Sequence, residues 1–254
     1  LRIFEQVTGL RMNHAYIRPG GVAQDLPPGC TEYIRDLLPK TRRDINELQD
    51  LTLQNPIFKA RFCDVAVLPL SAHMAMSMTG PSVRAAGYPL DMRKMQPYCG
   101  YENFDFDVPV ADQSDAYNRT VVRFDECYES LKIIYQVLDR LDETEGDPVM
   151  ISDPQIKWPA QLSVGIDGQG NSPEHIKEIM GSSMESLIQH FKLVTEGFRA
   201  PVGQATQLVE HAKGVMGVHV VSDGGTRPYR AHFRDPSFAN LQSLSLMAQG
   251  GTIS

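Results

Sequence analysis

The stretch RMNHAYIRPGGVAQDLPPG, residues 11–29, separates two segments that we predict to be helices. Its prolines and glycines make a regular helix through it unfavourable. It also carries the polar side chains of Arg11, Asn13, His14, Tyr16, Arg18 and Asp25. A proline-stiffened loop with many polar side chains suits a contact surface or a binding site. An ordinary surface turn has a similar composition, so both interpretations stay open here.

The flanking segments are predicted from hydrophobic spacing. Residues 1–10 have the pattern of the last turns of a helix, which Gly9 can end. Thr31 can cap a second helix, which Pro39 should break or kink. A further helical piece should follow and end near Asn55-Pro56.

The middle of the chain, residues 60–113, is predicted to be irregular. Asp91 should start a short helix with the sequence DMRKMQ. The run FDFDVPV, residues 104–110, alternates apolar and acidic residues, as a half-exposed strand would.

A long helix is predicted over Asp115–Glu143, where apolar residues recur in steps of three and four. This predicted stripe consists of Phe124, Cys127, Leu131, Ile134, Leu138 and Leu141. Residues 143–171 are predicted to form a loop. Ser172-Pro173-Glu174 is a favourable helix start, and that helix should run to about Gly197 with Met184 and Phe191 on its inner face.

After Pro201 the apolar period changes to two, which predicts short antiparallel strands. The strands are TQLVEHA, MGVHVVSD and RPYRAHFR, with turns at Lys213-Gly214 and Asp223-Gly224-Gly225. The second turn, with Arg227 and Arg230, could be an anion site or a plain hairpin turn. A closing helix is predicted over residues 236–249.

Composition excludes several classes of function. The net charge of -7 makes nucleic acid a poor partner. The sequence has no apolar run of about 20 residues, so no membrane span is predicted. Four cysteines, Cys30, Cys63, Cys99 and Cys127, show no paired spacing. We therefore expect buried or partly buried free thiols and no metal bound by this chain. No nucleophile motif, metalloprotease motif or P-loop is present, so residue patterns alone indicate a helix-rich α+β protein.

Four runs, in order, resemble one family. They are RMNHAYIRPGGVAQDLP, MTGPSVRAAGYPLDMRKMQPYCGYENFDFDVPV, SMESLIQHFKLVTEGF and VHVVSDGGTRPYRAHFRDPSFANL. Nearly the whole chain is similar to the 49-kDa subunit of respiratory complex I, the proton-pumping NADH:quinone oxidoreductase. This family is related to the large subunit of nickel–iron hydrogenases. The resemblance implies a single, mostly α domain with a hydrogenase-like helical core and a small antiparallel sheet near the C-terminus.

The resemblance also implies a function. The 49-kDa subunit forms, with the adjacent iron–sulfur subunit, the pocket in which ubiquinone or menaquinone is reduced. Electrons come from the terminal cluster of the iron–sulfur subunit, protons come from the 49-kDa subunit, and the reduction drives proton pumping by the membrane arm. Other peripheral-arm and membrane-arm subunits are further implied partners. The complex lies on the cytoplasmic face of the bacterial inner membrane, or on the matrix face in mitochondria.

The resemblance assigns site residues of the family only to the loop of residues 11–29. The family's quinone head-group ligands are expected upstream of Leu1, and its last twenty or so residues are expected after Ser254. No catalytic residue is therefore assigned. The implied pocket-lining or cluster-facing residues are Asn13, His14, Arg18, Gly20 and Gly21. Many members have a histidine after the methionine, whereas this chain has Asn13 there and His14 one position later.

Two alternatives follow from the same residues. A hydrogenase needs two cysteine pairs for nickel, and the sequence shows none. A catalytically silent scaffold subunit of a related ferredoxin- or cofactor-dependent complex is the second alternative. The co-purifying electron-input subunits would distinguish it from complex I.

Overall fold

The computed structural model describes residues 1–18, 20–144, 146–149 and 199–251, together with residues 151, 181, 184, 188, 191–192 and 195–197. Within these residues the chain forms two compact units. Unit 1 contains Leu1–Arg35, Arg140–Gly203 and Ser222–Tyr229, and unit 2 contains the remainder. The predicted α+β class, mostly α with a small late sheet, is confirmed. The expected single domain stays a prediction.

The helices follow in chain order. They are α1 Arg2–Thr8, α2 Cys30–Leu53, α3 Pro56–Phe62, α4 Leu70–Ala75, α5 Pro81–Ala85, α6 Met92–Met95, a 3-10 turn Tyr101–Asn103, α7 Ala116–Glu143, α8 Pro236–Leu241 and α9 Leu244–Met247. The strands are β1 Ile17–Arg18, β2 Gly21–Val22, β3 Gly203–His211, β4 Gly214–Ser222 and β5 Arg230–Arg234. The order β3-β4-β5 confirms the predicted late sheet, in which β4 and β5 are antiparallel.

Two predictions that depend on local capping are confirmed, whereas the predicted cap at Thr31 is wrong, because α2 begins at Cys30 and Thr31 lies inside it. Gly9 ends α1 with a φ of 74°, and its N–H donates to the carbonyl of Glu5. The carboxylate of Asp91 accepts from the N–H of Arg93 at the start of α6. Both effects act within a few residues, so sequence reasoning can find them.

Of the predicted break or kink at Pro39, the break is wrong. Helix α2 runs through Pro39 as one helix of 24 residues. Proline removes one backbone donor from a helix interior, but the buried side chains of Leu38 and Leu53 hold the helix on both sides of it. Tertiary packing therefore outweighs the local penalty.

The predicted strand at residues 104–110 is also wrong, because no strand is assigned there. The alternation of burial is correct, with Phe106 buried and the two aspartates exposed. The backbone N–H groups of Asp105 and Asp107 donate to the side chains of Gln136 and Glu129 on α7. Side chains of α7 thus accept the backbone hydrogen bonds that a neighbouring strand would otherwise accept.

Helix α7 is present as predicted, but its buried surface is wider than the predicted stripe. Leu131 and Leu138 of the stripe are buried, whereas Cys127 and Ile134 are exposed. Val122 and Ile133 are also buried. At about 100° per residue they lie on the side of the helix opposite to Leu131. Helix α7 is therefore packed on two sides.

Two other predicted helices differ from expectation or lie largely outside the described residues. The closing helix is divided into α8 and α9, with the fully buried Ser243 between them. Most of the predicted loop 143–171 and helix 172–197 lies outside the described residues. In the predicted helix, the residues that the structure describes between 181 and 195 are helical. Met184 and Phe191, which were predicted to face inward, are exposed.

In unit 2, hydrogen bonds around Thr79 connect the late sheet to the helices. The hydroxyl of Thr79 accepts from the N–H of Val215 on β4 at 3.0 Å. The amide of Asn240 bonds both backbone groups of Thr79 and donates to the carbonyl of Lys213. The guanidinium of Arg234 donates to Ser77 at 2.7 Å. The backbone groups of Thr79 thereby obtain their partner from Asn240 on α8, while β4 bonds the Thr79 hydroxyl.

Candidate functional site

The loop of residues 11–29 contains a small β-hairpin that local sequence did not predict. Ile17 pairs with Val22, and Arg18 pairs with Gly21. Gly20 and Gly21 have φ values of 94° and 154°, a region that favours glycine. Glycine at these two positions therefore lets the chain reverse directly after Arg18.

A third segment supports this hairpin. The N–H of Val22 donates to the carbonyl of Val149, and the N–H of Ile151 donates to the carbonyl of Gly20. The side chain of Gln24 also donates to the carbonyl of Val7 at the end of α1. The hairpin is thus held along the side of its second strand. Sequence reasoning missed Val149 and Ile151, because pairing between segments so distant in the chain leaves no local signal.

Arg18 is half-buried next to the hairpin turn. Its Nε donates to the carbonyl of Ala15 at 2.9 Å. Its Nη1 is buried and has no hydrogen-bond partner among the residues that the structure describes. Buried donors normally have an acceptor, so Arg18 has the capacity to donate further hydrogen bonds at this position.

Asn13 and His14 are neighbours with different environments. Asn13 is exposed and has a φ of 55°, a conformation in which asparagine is enriched. His14 is half-buried, and its ring lies 4.7 Å from the ring of Phe4 on α1. The imidazole of His14 therefore lies against α1, whereas Asn13 is exposed.

The second half of the loop borders an open cavity of about 590 Å³, which residues 25–32 line together with residues between Leu141 and Val149. Cys30, at its edge, is almost fully buried. Burial raises the pKa of the Cys30 thiol, and the charge of Glu32 adds to this. Burial also raises the pKa of the nearby Tyr16 hydroxyl, with further contributions from Asp25 and Cys30. Both groups are therefore neutral at physiological pH.

The turn at Asp223-Gly224-Gly225 is better explained as a plain hairpin turn than as an anion site. The N–H of Gly224 donates to the hydroxyl of Ser222, and the N–H of Gly225 donates to the carboxylate of Asp223. Both donors are therefore occupied by the turn itself.

The cysteines depart in part from expectation. Cys30 is buried as expected, but Cys63, Cys99 and Cys127 are exposed. In the described part of the chain, no three histidine, cysteine or acidic side chains are grouped so that they could hold a metal ion. Of the helices described, none is long and apolar enough to cross a membrane.

The fold and the loop define a mostly helical α+β protein that presents an arginine on a supported β-hairpin. The chain belongs to the family described as respiratory-chain NADH dehydrogenase, 49 Kd subunit, whose model matches residues 1–254. The resemblance that the four sequence runs indicated is thus confirmed.

Curated relatives agree with this family. The chain is 59% identical over 253 residues to the D 1 subunit of NADH-quinone oxidoreductase from Streptomyces avermitilis, covering 100% of this chain and 56% of that protein. It is 58% identical to the D subunit from a Nocardioides species and 56% identical to that from Mycobacterium avium, again with 100% of this chain and 57% of each relative covered. The chain therefore spans a little over half of the length of these relatives.

Proposed function

We propose that this chain is part of the 49-kDa subunit of a proton-pumping NADH:quinone oxidoreductase. The match to the family over the whole chain carries this proposal, and relatives named as the D subunit of NADH-quinone oxidoreductase support it. In this proposal the chain contributes to an enzyme only within its multisubunit assembly. The complex lies at the cytoplasmic face of a bacterial inner membrane, or the matrix face of a mitochondrial one.

The loop has a defined role in this proposal. The hairpin Ile17–Val22 lies against the adjacent iron–sulfur subunit and faces its terminal cluster and the quinone pocket. Arg18 pairs with Gly21 in the hairpin. Its Nη1 has no partner among the described residues, so in this proposal the side chain turns outward from its buried position and donates to an acceptor of the iron–sulfur subunit. Quinone is the substrate, the cluster belongs to the iron–sulfur subunit, and we assign no head-group ligand to these 254 residues.

The proposed contribution of Arg18 is electrostatic. A guanidinium close to a cluster stabilises the reduced, more negative form, because opposite charges attract strongly away from bulk water. The same side chain can fix the interface by hydrogen bonds from its fork of donors. His14, with its ring against Phe4, is proposed to exchange a proton as the cluster changes charge.

Replacing Arg18 by methionine tests this proposal. The variant keeps much of the apolar stem but removes the charge and the donors. We expect the complex to assemble, quinone reductase activity to fall, and the cluster potential measured by redox titration with EPR detection to become more negative.

Arg11→Met is the matched control, because Arg11 is exposed and pairs only with the exposed Glu5 among the described residues. It should leave activity and potential unchanged. An assembled Arg18→Met complex with normal activity and an unchanged cluster signal would show that Arg18 is an ordinary surface residue.

His14→Met gives a separate test. If His14 exchanges the proton, the parent complex should show a cluster potential that depends on pH, and the variant should lose that dependence. Gln6→Ala is the control, since Gln6 is exposed on α1 and carries no titratable group. A parent complex without pH dependence would exclude this role for His14.

A further inference from the structure

A fully buried histidine in unit 2 lies apart from the loop and is not used in the proposed function. His73 is on α4, and none of its surface is exposed to solvent. Its Nδ1 lies 3.0 Å from the carbonyl oxygen of Pro69, and its Nε2 lies 2.9 Å from the hydroxyl oxygen of Ser82 on α5. The imidazole therefore joins the start of α4 to α5 through both of its ring nitrogens.

The two partners fix the position of the ring proton. A carbonyl oxygen can only accept, so Nδ1 of His73 carries the proton and donates to Pro69. Nε2 of the neutral ring is then an acceptor, and the hydroxyl of Ser82 donates to it. His73 is thus fully hydrogen-bonded in one neutral tautomer.

The segment before α7 and α7 itself complete this arrangement. The hydroxyl of Ser114 donates to the carbonyl of Ser82 at 3.0 Å and lies 3.4 Å from Nε2 of His73. Nη1 of Arg119 on α7 donates to the carbonyl of Ser114 at 2.8 Å and to its hydroxyl at 3.3 Å. Through these bonds His73, Ser82, Ser114 and Arg119 connect three helices of unit 2.

A positive charge on His73 would lack a partner. Among the residues that the structure describes, no carboxylate bonds the ring, and α4 has no other titratable side chain. Arg119 would repel an imidazolium, because both cations would lie beside the hydroxyl of Ser114. Arg84 of α5 is paired with two glutamates, and Asp115 faces Arg119 and accepts from two backbone N–H groups. Protonation of His73 would therefore bury an uncompensated charge.

The release of α4 would be a local event. The apolar cluster that α4 covers consists of the buried residues Leu68, Met78 and Val83. Ala72 of α4 packs against this cluster, whereas Leu70 and Met74 of α4 are exposed. α4 has only six residues, and so short a helix depends on its tertiary contacts. Loss of the contacts on its one packed side would therefore be enough to open it.

We propose that His73 is a pH-sensitive switch in unit 2, which as a neutral ring connects α4 to α5 and on protonation releases α4. A proton from solvent binds Nε2, which becomes a donor, so the bond in which it accepts from Ser82 is lost. The charged ring then moves toward water together with α4. The switch is a property of unit 2 and does not depend on the proposed role of the loop.

The surroundings of the ring give the sign of the pH effect. Burial is the largest influence and lowers the pKa of His73, the hydrogen bond to Pro69 raises it, and the charge of Arg119 lowers it. Because the pKa is lower in the folded than in the unfolded state, the stabilisation is complete above the ordinary value of about 6.5 and is lost as pH falls toward the folded pKa. Within this window α4 takes up one proton on opening, so its opening equilibrium rises about tenfold for each pH unit.

Hydrogen–deuterium exchange in the assembled complex, with the full-length chain, tests the switch. Exchange of the peptide covering Leu70–Ala75 is measured at neutral pH and at about pH 5.5, one unit below the ordinary pKa of histidine, and is corrected for the intrinsic rate. We expect the corrected rate of the parent to rise by up to about tenfold in acid. His73→Gln has no titratable ring and should lose this rise, whereas His232→Gln, at an exposed position, should keep it.

Ser82→Ala is an independent variant that keeps the titratable ring. It removes the donor to Nε2 of His73, so α4 should exchange faster than in the parent already at neutral pH. Ser71→Ala, at an exposed position on α4, should leave that exchange unchanged. The proposal would be overturned if acid did not accelerate exchange in the parent, or if it accelerated His73→Gln equally. If His73→Gln does not assemble, an unchanged rate in Ser82→Ala at neutral pH would overturn it.

Discussion

Replacing Arg84 by methionine should reduce the free energy of unfolding by about 3–5 kcal/mol, the usual effect of removing one partner of a buried ionic group. The side chain is almost fully buried and bridges Glu126 and Glu210. Without it, both carboxylates lose their cation while they remain shielded from water. Methionine fills a similar volume, so the effect should come from the charges rather than from a cavity.

The pH dependence identifies the cause of this loss. In Arg84→Met the pKa of Glu126 rises further above its ordinary value, because the cation that stabilises its ionised form is removed. The destabilisation should therefore be largest at neutral and alkaline pH and should shrink as pH falls through the raised pKa of Glu126. Pulse proteolysis of the chain in urea, over a range of pH, measures this.

An exposed arginine is the control for charge removal alone. Arg43→Met on α2 should change the free energy of unfolding by less than about 1 kcal/mol, as is usual for exposed charges. A loss in Arg84→Met that is equally small, or that is independent of pH, would contradict the ionic explanation.

The second large effect is expected from Gly80→Ala, which should cost roughly 3 kcal/mol. Gly80 has a φ of 85°, and an added Cβ would lie 2.5 Å from the carbonyl oxygen of Lys213 and 2.6 Å from Cα of Gly214. These are backbone atoms that cannot rotate away. The substitution should therefore separate the TGP segment from the β3–β4 turn and weaken the hydrogen bonds of Thr79 with β4.

Gly29→Ala separates the two causes of this loss. Gly29 has a similar φ of 77°, but an added Cβ would meet no atom within 4 Å. Its loss should be about 1 kcal/mol, the cost of the left-handed backbone alone. Equal losses at the two glycines, measured by urea unfolding with the same pulse proteolysis, would show that the close approach at Gly80 has no effect.

The candidate site was only partly predictable. The sequence identified the loop, excluded a helix through it and, through the family resemblance, singled out Arg18 and His14. It did not predict the hairpin, the buried Nη1 of Arg18 or the contact of His14 with Phe4. These features depend on pairing with Val149 and Ile151 and on packing against α1, which are contacts between distant parts of the chain.

The sequence by itself determined the features that act over a few residues. Gly9 ends α1, Asp91 caps α6, and the change of period after Pro201 produces the late sheet. Only the tertiary structure decided that α2 continues through Pro39 and that one guanidinium serves two glutamates from α7 and β3. Capping and periodicity are local and leave a pattern in the sequence. Burial and the pairing of buried charges arise when distant segments exclude water together, so they become visible only in the folded chain.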